Sequence, residues 1–86
     1  MNINELISII KKKLLDQIVI ENIEIEDKSF LHKNHVGNQV GKFHIKLLIQ
    51  SDELKKMSKI ESSKKIYKIL DPEIKDVIHS LQILIS

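Results

Sequence analysis

The period of the hydrophobic pattern changes near Val19 from about 3.6 residues to two, and this change determines the order of the first elements. Upstream, the apolar residues at helical spacing are Leu6, Ile9, Ile10, Leu14 and Ile18. Asn2 can cap this run, so we predict a first helix over about 3–16. Downstream, Ile23 and Ile25 alternate with polar residues, which predicts a half-buried strand.

A second alternating run predicts a strand over about 42–50. Its polar face is basic, whereas the polar face of the first strand is acidic. Antiparallel pairing would therefore place Glu24 and Glu26 opposite residues 42–46. His44 has the polar parity of this strand, so we expect it to be exposed and assign it no role.

The segment 27–43 joins the two predicted strands and shows neither alternation nor helical spacing. It is longer than the roughly 2 to 5 residues of a usual hairpin connection. It contains His32 and His35, and two imidazoles three residues apart can bind a metal or transfer protons near neutral pH. They can equally be solvated loop residues, and the spacing by itself favours that interpretation.

Two short helices are predicted after the second strand. Ser51 and Asp52 can cap a helical turn that runs to about Met57, and Ser58 with Glu61 forms a capping box for the next helix. The inner side of that helix, which runs to about residue 70, is predicted to consist of Ile60, Ile66, Tyr67, Ile69 and Leu70. The two helices are similar in outline to a helix-turn-helix.

A turn and a third strand complete the predicted elements. Asp71-Pro72 should end the preceding helix, because the residue before a proline is disfavoured in helical geometry. After a turn, residues 78–85 read as a strand, with His79 on the apolar parity beside Leu81. The pattern alone therefore favours His79 as a partly buried core residue over a metal ligand.

All 14 basic residues of this chain are lysines, and the net charge is only +2. Six of them, here named the lysine set, lie in the two predicted helices: Lys55, Lys56, Lys59, Lys64, Lys65 and Lys68. A solvated helix face is the favoured interpretation, and a nucleic-acid contact surface is the alternative. Since arginine is the usual reader of guanine edges, any DNA binding would be mainly electrostatic and salt-dependent.

Composition excludes several classes of site. The chain has no cysteine, so it forms no disulfide and holds no iron–sulfur cluster by its own thiolates. It has no P-loop and no dinucleotide-binding glycine run, and we expect it not to be an enzyme. The start lacks a secretory pattern, and no apolar run approaches the roughly 20 residues that span a bilayer, so we expect a cytoplasmic protein without membrane contact.

Four motifs resemble those of the BolA-like proteins. They are Asp27-x-Ser29-x-x-His32-x-x-His35 for D-x-S-x-x-H-x-x-H, Gly41-Lys42-Phe43-His44-Ile45 for G-S-H-F-x-V, Ile66-Tyr67-x-x-Leu70 for V-Y-x-x-L, and Ile78-His79-Ser80-Leu81 for V-H-A-L. Their order and spacing match the family over nearly the whole chain. The family's R-H-R run is replaced by Ser62-Ser63-Lys64, which weakens the case for DNA binding.

The element order predicts a single α+β domain over 1–86, arranged α-β-β-α-α-β, with helices on one face of a three-stranded sheet. The resemblance implies a fold similar to the class II KH domain. It also implies a partnership with a monothiol glutaredoxin in handling a [2Fe–2S] cluster, for which the glutaredoxin and glutathione supply thiolates. His79 would be the fixed ligand, His32 the loop ligand, and His35 a substitute or proton-handling neighbour.

The alternative function is that of a nucleic-acid-binding transcriptional regulator of the stress response, which would use the lysine set. KH-type RNA binding needs a G-x-x-G loop between helices, and no glycine follows Gly41. The isolated chain is expected to bind no cluster by itself and to be a monomer in the apo form.

Overall fold

The computed structural model describes residues 1–29 and 42–86. In chain order the elements are α1 (Ile3–Gln17), β1 (Asn22–Asp27), β2 (Phe43–Gln50), α2 (Asp52–Lys55), α3 (Lys59–Ile69), α4 (Asp71–Asp76) and β3 (Ile78–Ile85). The predicted order is confirmed, apart from the additional helix α4. Within the two described ranges, no helix is both long and apolar enough to cross a membrane.

Side-chain caps define the starts of the first three helices, as the sequence predicts. The Oδ1 atom of Asn2 accepts the backbone N–H of Glu5 at 2.8 Å. The hydroxyl of Ser51 accepts a backbone N–H of the first turn of α2 at 3.2 Å, and Ser58 with Glu61 forms a reciprocal capping box at α3. Because these caps satisfy donors that have no intrahelical partner, local sequence sets the helix starts.

The turn predicted after Pro72 is instead the six-residue helix α4. Leu70 separates α3 from α4, and Pro72 lies in the first turn of α4. Proline suits that position because its fixed φ is helical and its missing N–H would have no intrahelical acceptor there. The prediction was wrong because the same proline that restricts the helix before it also favours the start of a new one.

The described strands form one mixed sheet in the order β1-β2-β3, with β2 in the centre. β1 pairs with β2 antiparallel, as predicted, and β3 is parallel to β2. Glu26 is opposite Lys46, but Glu24 is opposite Leu48, so the predicted charge pairing is right at one position and wrong at the other. A parallel pair needs a crossover connection, which α2, α3 and α4 provide.

Alternate residues of β2 face the helices. Ile45, Leu47 and Ile49 are each at most 2% exposed. They belong to one hydrophobic core together with Leu6, Ile10, Leu14, Ile18, Leu54, Ile66, Leu70 and Ile78. The helices therefore cover one face of the sheet, as expected for this α+β arrangement.

α3 contacts the core through a narrower face than the sequence predicts. Ile66 and the C-cap residue Leu70 are buried as expected, and Ser62, one turn before Ile66, is buried with them. Ile60 and Tyr67, which the pattern assigns to the inner side, are 68% and 43% exposed. A helix turns by about 100° per residue, so Tyr67 points well away from the stripe that Ile66 occupies.

Candidate metal-ligand site at the start of strand β3

The start of β3 is irregular in its pairing with β2. Phe43 is paired with Ile78, but the next residue of β2, His44, is paired with Ser80. β3 thus carries one additional residue, His79, between two consecutive positions of β2. An extra residue of this kind is a β-bulge, which redirects the side chains near it and often lies beside a functional site.

His79 is exposed, and its ring lies against that of His44, with the ring centroids 4.9 Å apart. The pattern-based expectation of a partly buried core histidine is therefore wrong. Parity counted back from Leu81 would place His79 toward the helices, but the bulge interrupts the alternation on which that count depends. The imidazole that the resemblance assigns as a ligand is accessible to a partner.

His44 is only 6% exposed, which contradicts the prediction of an exposed strand residue without a role. Its neighbour Ile45 is also buried, and consecutive residues of a strand point to opposite faces of the sheet. His44 is therefore buried on the face opposite to the helices. A hydrogen bond of 2.7 Å joins its Nδ1 atom to Oγ of Ser80, the residue with which it is paired in β3.

The backbone of His44 is held from the other side by the end of β1. Its N–H donates to Oγ of Ser29 at 3.1 Å, and its carbonyl oxygen accepts the N–H of Lys28 at 2.7 Å. The N–H of Ser29 in turn donates to Oδ1 of Asp27 at 2.9 Å. All three strands thus contribute to one hydrogen-bonded group beside the His79 ring.

The chemistry of this group suits one ligand of a shared metal centre. Imidazole is a common ligand of iron, zinc and copper, and His79 presents an imidazole at the surface. His32 and His35 lie outside the described residues, so the structure does not test their predicted roles. In the part of the chain that is described, no three His, Cys, Asp or Glu residues are grouped to hold a metal ion.

The lysine set lies on α2, on α3 and in the segment between them. Lys55, Lys56, Lys59, Lys64 and Lys68 are exposed. Lys65 is half-buried, and its Nζ atom forms an ion pair of 3.0 Å with Oε2 of Glu53. The hydrogen bond from Lys65, together with one from the backbone N–H of Val19, lowers the pKa of Glu53 below its ordinary value.

His44 is the residue of this group that sequence reasoning missed. Its parity in β2 was assigned correctly, since it lies on the face away from the helices, but burial on that face could not be read from the alternation. No signal in the sequence marked this residue, because His44 occupies the unspecified position x of the motif G-S-H-F-x-V that the strand entry resembles.

Comparisons with known proteins agree on one family. The family model described as BolA-like protein matches residues 14–86. The chain is also 30% identical over 73 residues to the "DNA-binding transcriptional regulator BolA" of Haemophilus influenzae, a match that covers 85% of this chain and 68% of that protein.

Solved structures of the same kind are similar to the fold. The BolA domain of SufE1 from Arabidopsis thaliana superposes with a TM-score of 0.77 at 28% identity, over 100% of this chain and 93% of that one. BolA1 from Arabidopsis thaliana gives a TM-score of 0.76 at 23% identity, over 91% and 86% of the two chains, and supports the fold alone.

Proposed function

The chain belongs to the BolA-like protein family, and from this premise we propose that it is a non-enzymatic accessory protein that shares a [2Fe–2S] cluster with a monothiol glutaredoxin. His79 is its fixed ligand. The observation that carries this proposal is the exposed imidazole of His79 at a β-bulge, packed against the buried ring of His44. Such a placement combines access for a partner with a rigid support.

The donor set of the chain fits a shared cluster better than a cluster of its own. The sequence contains no cysteine, so the partner and glutathione must supply the thiolates. Imidazole replaces thiolate on one iron in known iron–sulfur centres, where it raises the reduction potential. The contribution of this chain is therefore one or two nitrogen ligands, of which His79 lies on the edge strand β3.

His32 is proposed as the second ligand from the loop, and His35 as its substitute or as a neighbour that handles a proton. Both assignments come from the motif that resembles the family pattern, and both residues lie outside the described part of the chain. They gain support from Ser29, three positions before His32 in the sequence, which accepts a hydrogen bond from the backbone N–H of His44. Ser29 thus belongs to the hydrogen-bonded group beside the His79 ring.

The test is anaerobic reconstitution of this chain with a monothiol glutaredoxin, glutathione, iron and sulfide. Visible absorption, circular dichroism and the iron content per heterodimer are measured for the wild type, His79→Ala and His32→Ala. Gln82→Ala, an exposed position farther along β3, is the matched control.

We expect a coloured one-to-one complex whose spectrum changes in both histidine variants and is retained in the control. Unchanged spectra in both histidine variants would contradict the proposal. So would colour confined to a glutaredoxin homodimer with this chain left free.

A nucleic-acid-binding regulator is the second candidate function. It is favoured by the name of the Haemophilus influenzae relative, a DNA-binding transcriptional regulator, and by the exposure of five members of the lysine set. Lysine side chains without arginine provide attraction to phosphates rather than recognition of base edges. This candidate therefore predicts binding that depends on salt and little on sequence.

A further inference from the structure

An exposed histidine side chain samples several rotamers, and ligation of a metal restricts it to one. A ligand that is already held in the required rotamer loses less conformational entropy on binding, which is the basis of preorganisation. His79 is exposed and is the additional residue of the bulge, which has no paired residue in β2. Its orientation must therefore come from a specific contact.

The ring of His44 provides such a contact because it is itself fixed. It is 6% exposed, and its Nδ1 atom is bonded to Oγ of Ser80 at 2.7 Å. Its backbone N–H and carbonyl are both bonded to the end of β1. The planes of the two imidazoles are inclined by 62°, an edge-to-face arrangement that aromatic rings favour.

We infer that His44 is a positioning residue that selects the rotamer in which His79 binds its metal centre. The inference rests on the proposed function for the identity of the centre, whereas the contact itself is a property of the protein alone. His44 is not itself assigned as a ligand, because its ring is buried. Partners that orient a metal-binding histidine through a hydrogen bond typically change metal affinity by about 10- to 100-fold when they are removed, and for a ring contact we expect the lower end of that range.

The first measurement uses the apo protein and needs no cluster. The Hα–Hβ couplings of His79 report its rotamer populations, and they are measured by nuclear magnetic resonance in the wild type and in three variants. His44→Asn keeps a polar group for Ser80 but removes the ring, whereas His44→Phe keeps a ring but removes the nitrogen. Lys46→Ala, two residues along the same face of β2, is the matched control.

We expect unequal couplings, which indicate one dominant rotamer, in the wild type, in Lys46→Ala and in His44→Phe. In His44→Asn we expect the couplings to become averaged. A purely structural role for His44 would lower the stability of the fold and leave the His79 rotamer unchanged in the folded fraction. Unchanged couplings in His44→Asn would therefore overturn the inference. Averaged couplings in His44→Phe would show that an aromatic ring at position 44 does not by itself select the His79 rotamer, and would overturn the role given to the ring.

The second measurement uses the complex reconstituted with the glutaredoxin. We expect His44→Asn to lose its cluster to a chelator about tenfold faster than the wild type, with His44→Phe close to the wild type. If no mixed complex forms even with the wild type, the proposed function fails, and the couplings still decide whether His44 orients His79. If the complex forms and His44→Asn retains both its cluster and its couplings, the function stands and the inference is overturned.

Discussion

The ammonium group of Lys13 on α1 donates two hydrogen bonds to the carboxylate of Glu73 on α4, at 2.9 Å to Oε1 and 2.7 Å to Oε2. Sixty positions separate the two residues in the sequence. Glu73 is only 9% exposed, so the ammonium neutralises a carboxylate that has little access to water. Since α4 leads directly into the start of β3, this ion pair connects the first helix to the helix that precedes His79.

Lys13→Met should destabilise the fold because it leaves the Glu73 carboxylate largely buried without its cation. We expect a loss of roughly 1 to 3 kcal/mol in the free energy of unfolding, between the values typical of surface and of buried ion pairs. Urea denaturation measures it. Lys12→Met, at the exposed neighbouring position of α1, is the control and should change stability by less than about 0.5 kcal/mol. Equal effects in the two variants would contradict the importance of the pair.

Leu47→Ala should be far more damaging than Leu48→Ala, although the two residues are adjacent in the central strand. Leu47 is 0% exposed and faces the helices, whereas Leu48 is half-buried on the opposite face. Removal of a fully buried leucine side chain typically costs about 2 to 5 kcal/mol, a large share of the stability of so small a domain. Thermal or urea unfolding of both variants checks this, and similar losses would mean that both faces are packed equally.

Stability should depend on pH through Glu53. Its pKa in the folded state is lowered, chiefly by the hydrogen bond from Lys65, so the folded state binds fewer protons than the unfolded state. The stabilisation of the folded state that results from this lowered pKa is fully present above the ordinary glutamate pKa of 4.5. It is lost as the pH falls through the lowered pKa of the folded state. Glu53→Gln should therefore weaken the acid-induced loss of stability, which urea unfolding at neutral and acidic pH measures.

The exposed Glu24→Gln is the control for that experiment and should retain the acid sensitivity of the wild type. If stability depends on pH in Glu53→Gln as it does in the wild type, the pair of Glu53 with Lys65 does not contribute to the acid-induced loss of stability.

If His79 ligates the shared cluster as proposed, His79→Cys should replace that imidazole ligand by a thiolate. Because thiolate ligation is associated with lower potentials than imidazole ligation, we expect the reduction potential of the reconstituted complex to fall. Protein-film or solution voltammetry measures it. Gln82→Cys places the same group three residues farther along β3, at an exposed position, and should leave the potential close to that of the wild type. Equal potentials in all three proteins would argue against ligation at position 79.

Reversal of charge on the lysine set tests the nucleic-acid alternative. If the wild type binds duplex DNA, its affinity should fall linearly with salt on a log–log plot. Lys64→Glu with Lys68→Glu should weaken binding and reduce that slope by about 2, because each lysine that is replaced leaves one phosphate without its cation. Lys11→Glu with Lys12→Glu, on α1, is the charge-matched control. Binding that is indifferent to the first pair would contradict a role for α3.

Local sequence determined most of the secondary structure. The caps at Asn2, Ser51 and Ser58 and the two hydrophobic periods act over a few residues, so they can be recognised in the sequence without knowledge of the fold. α4 was missed because the Asp71-Pro72 pair is compatible both with a helix end and with a helix start. The sequence motifs also carried the family assignment, which the comparisons confirm. The ligand roles of His79, His32 and His35 stay predictions.

Only the tertiary structure decided the geometry of the candidate site. β3 lies parallel to β2 and carries the additional residue His79, and both features depend on the register between the two strands. These strands are more than thirty residues apart in sequence, so local periodicity does not determine their register. The surroundings of His44 likewise come from residues distant in sequence: Ser29, which follows β1, accepts its backbone N–H, and Ser80 of β3 is bonded to its ring. The sequence by itself thus determined which residues could bind a metal and which elements carry them, whereas strand register determined that His79 is exposed and that His44 supports it.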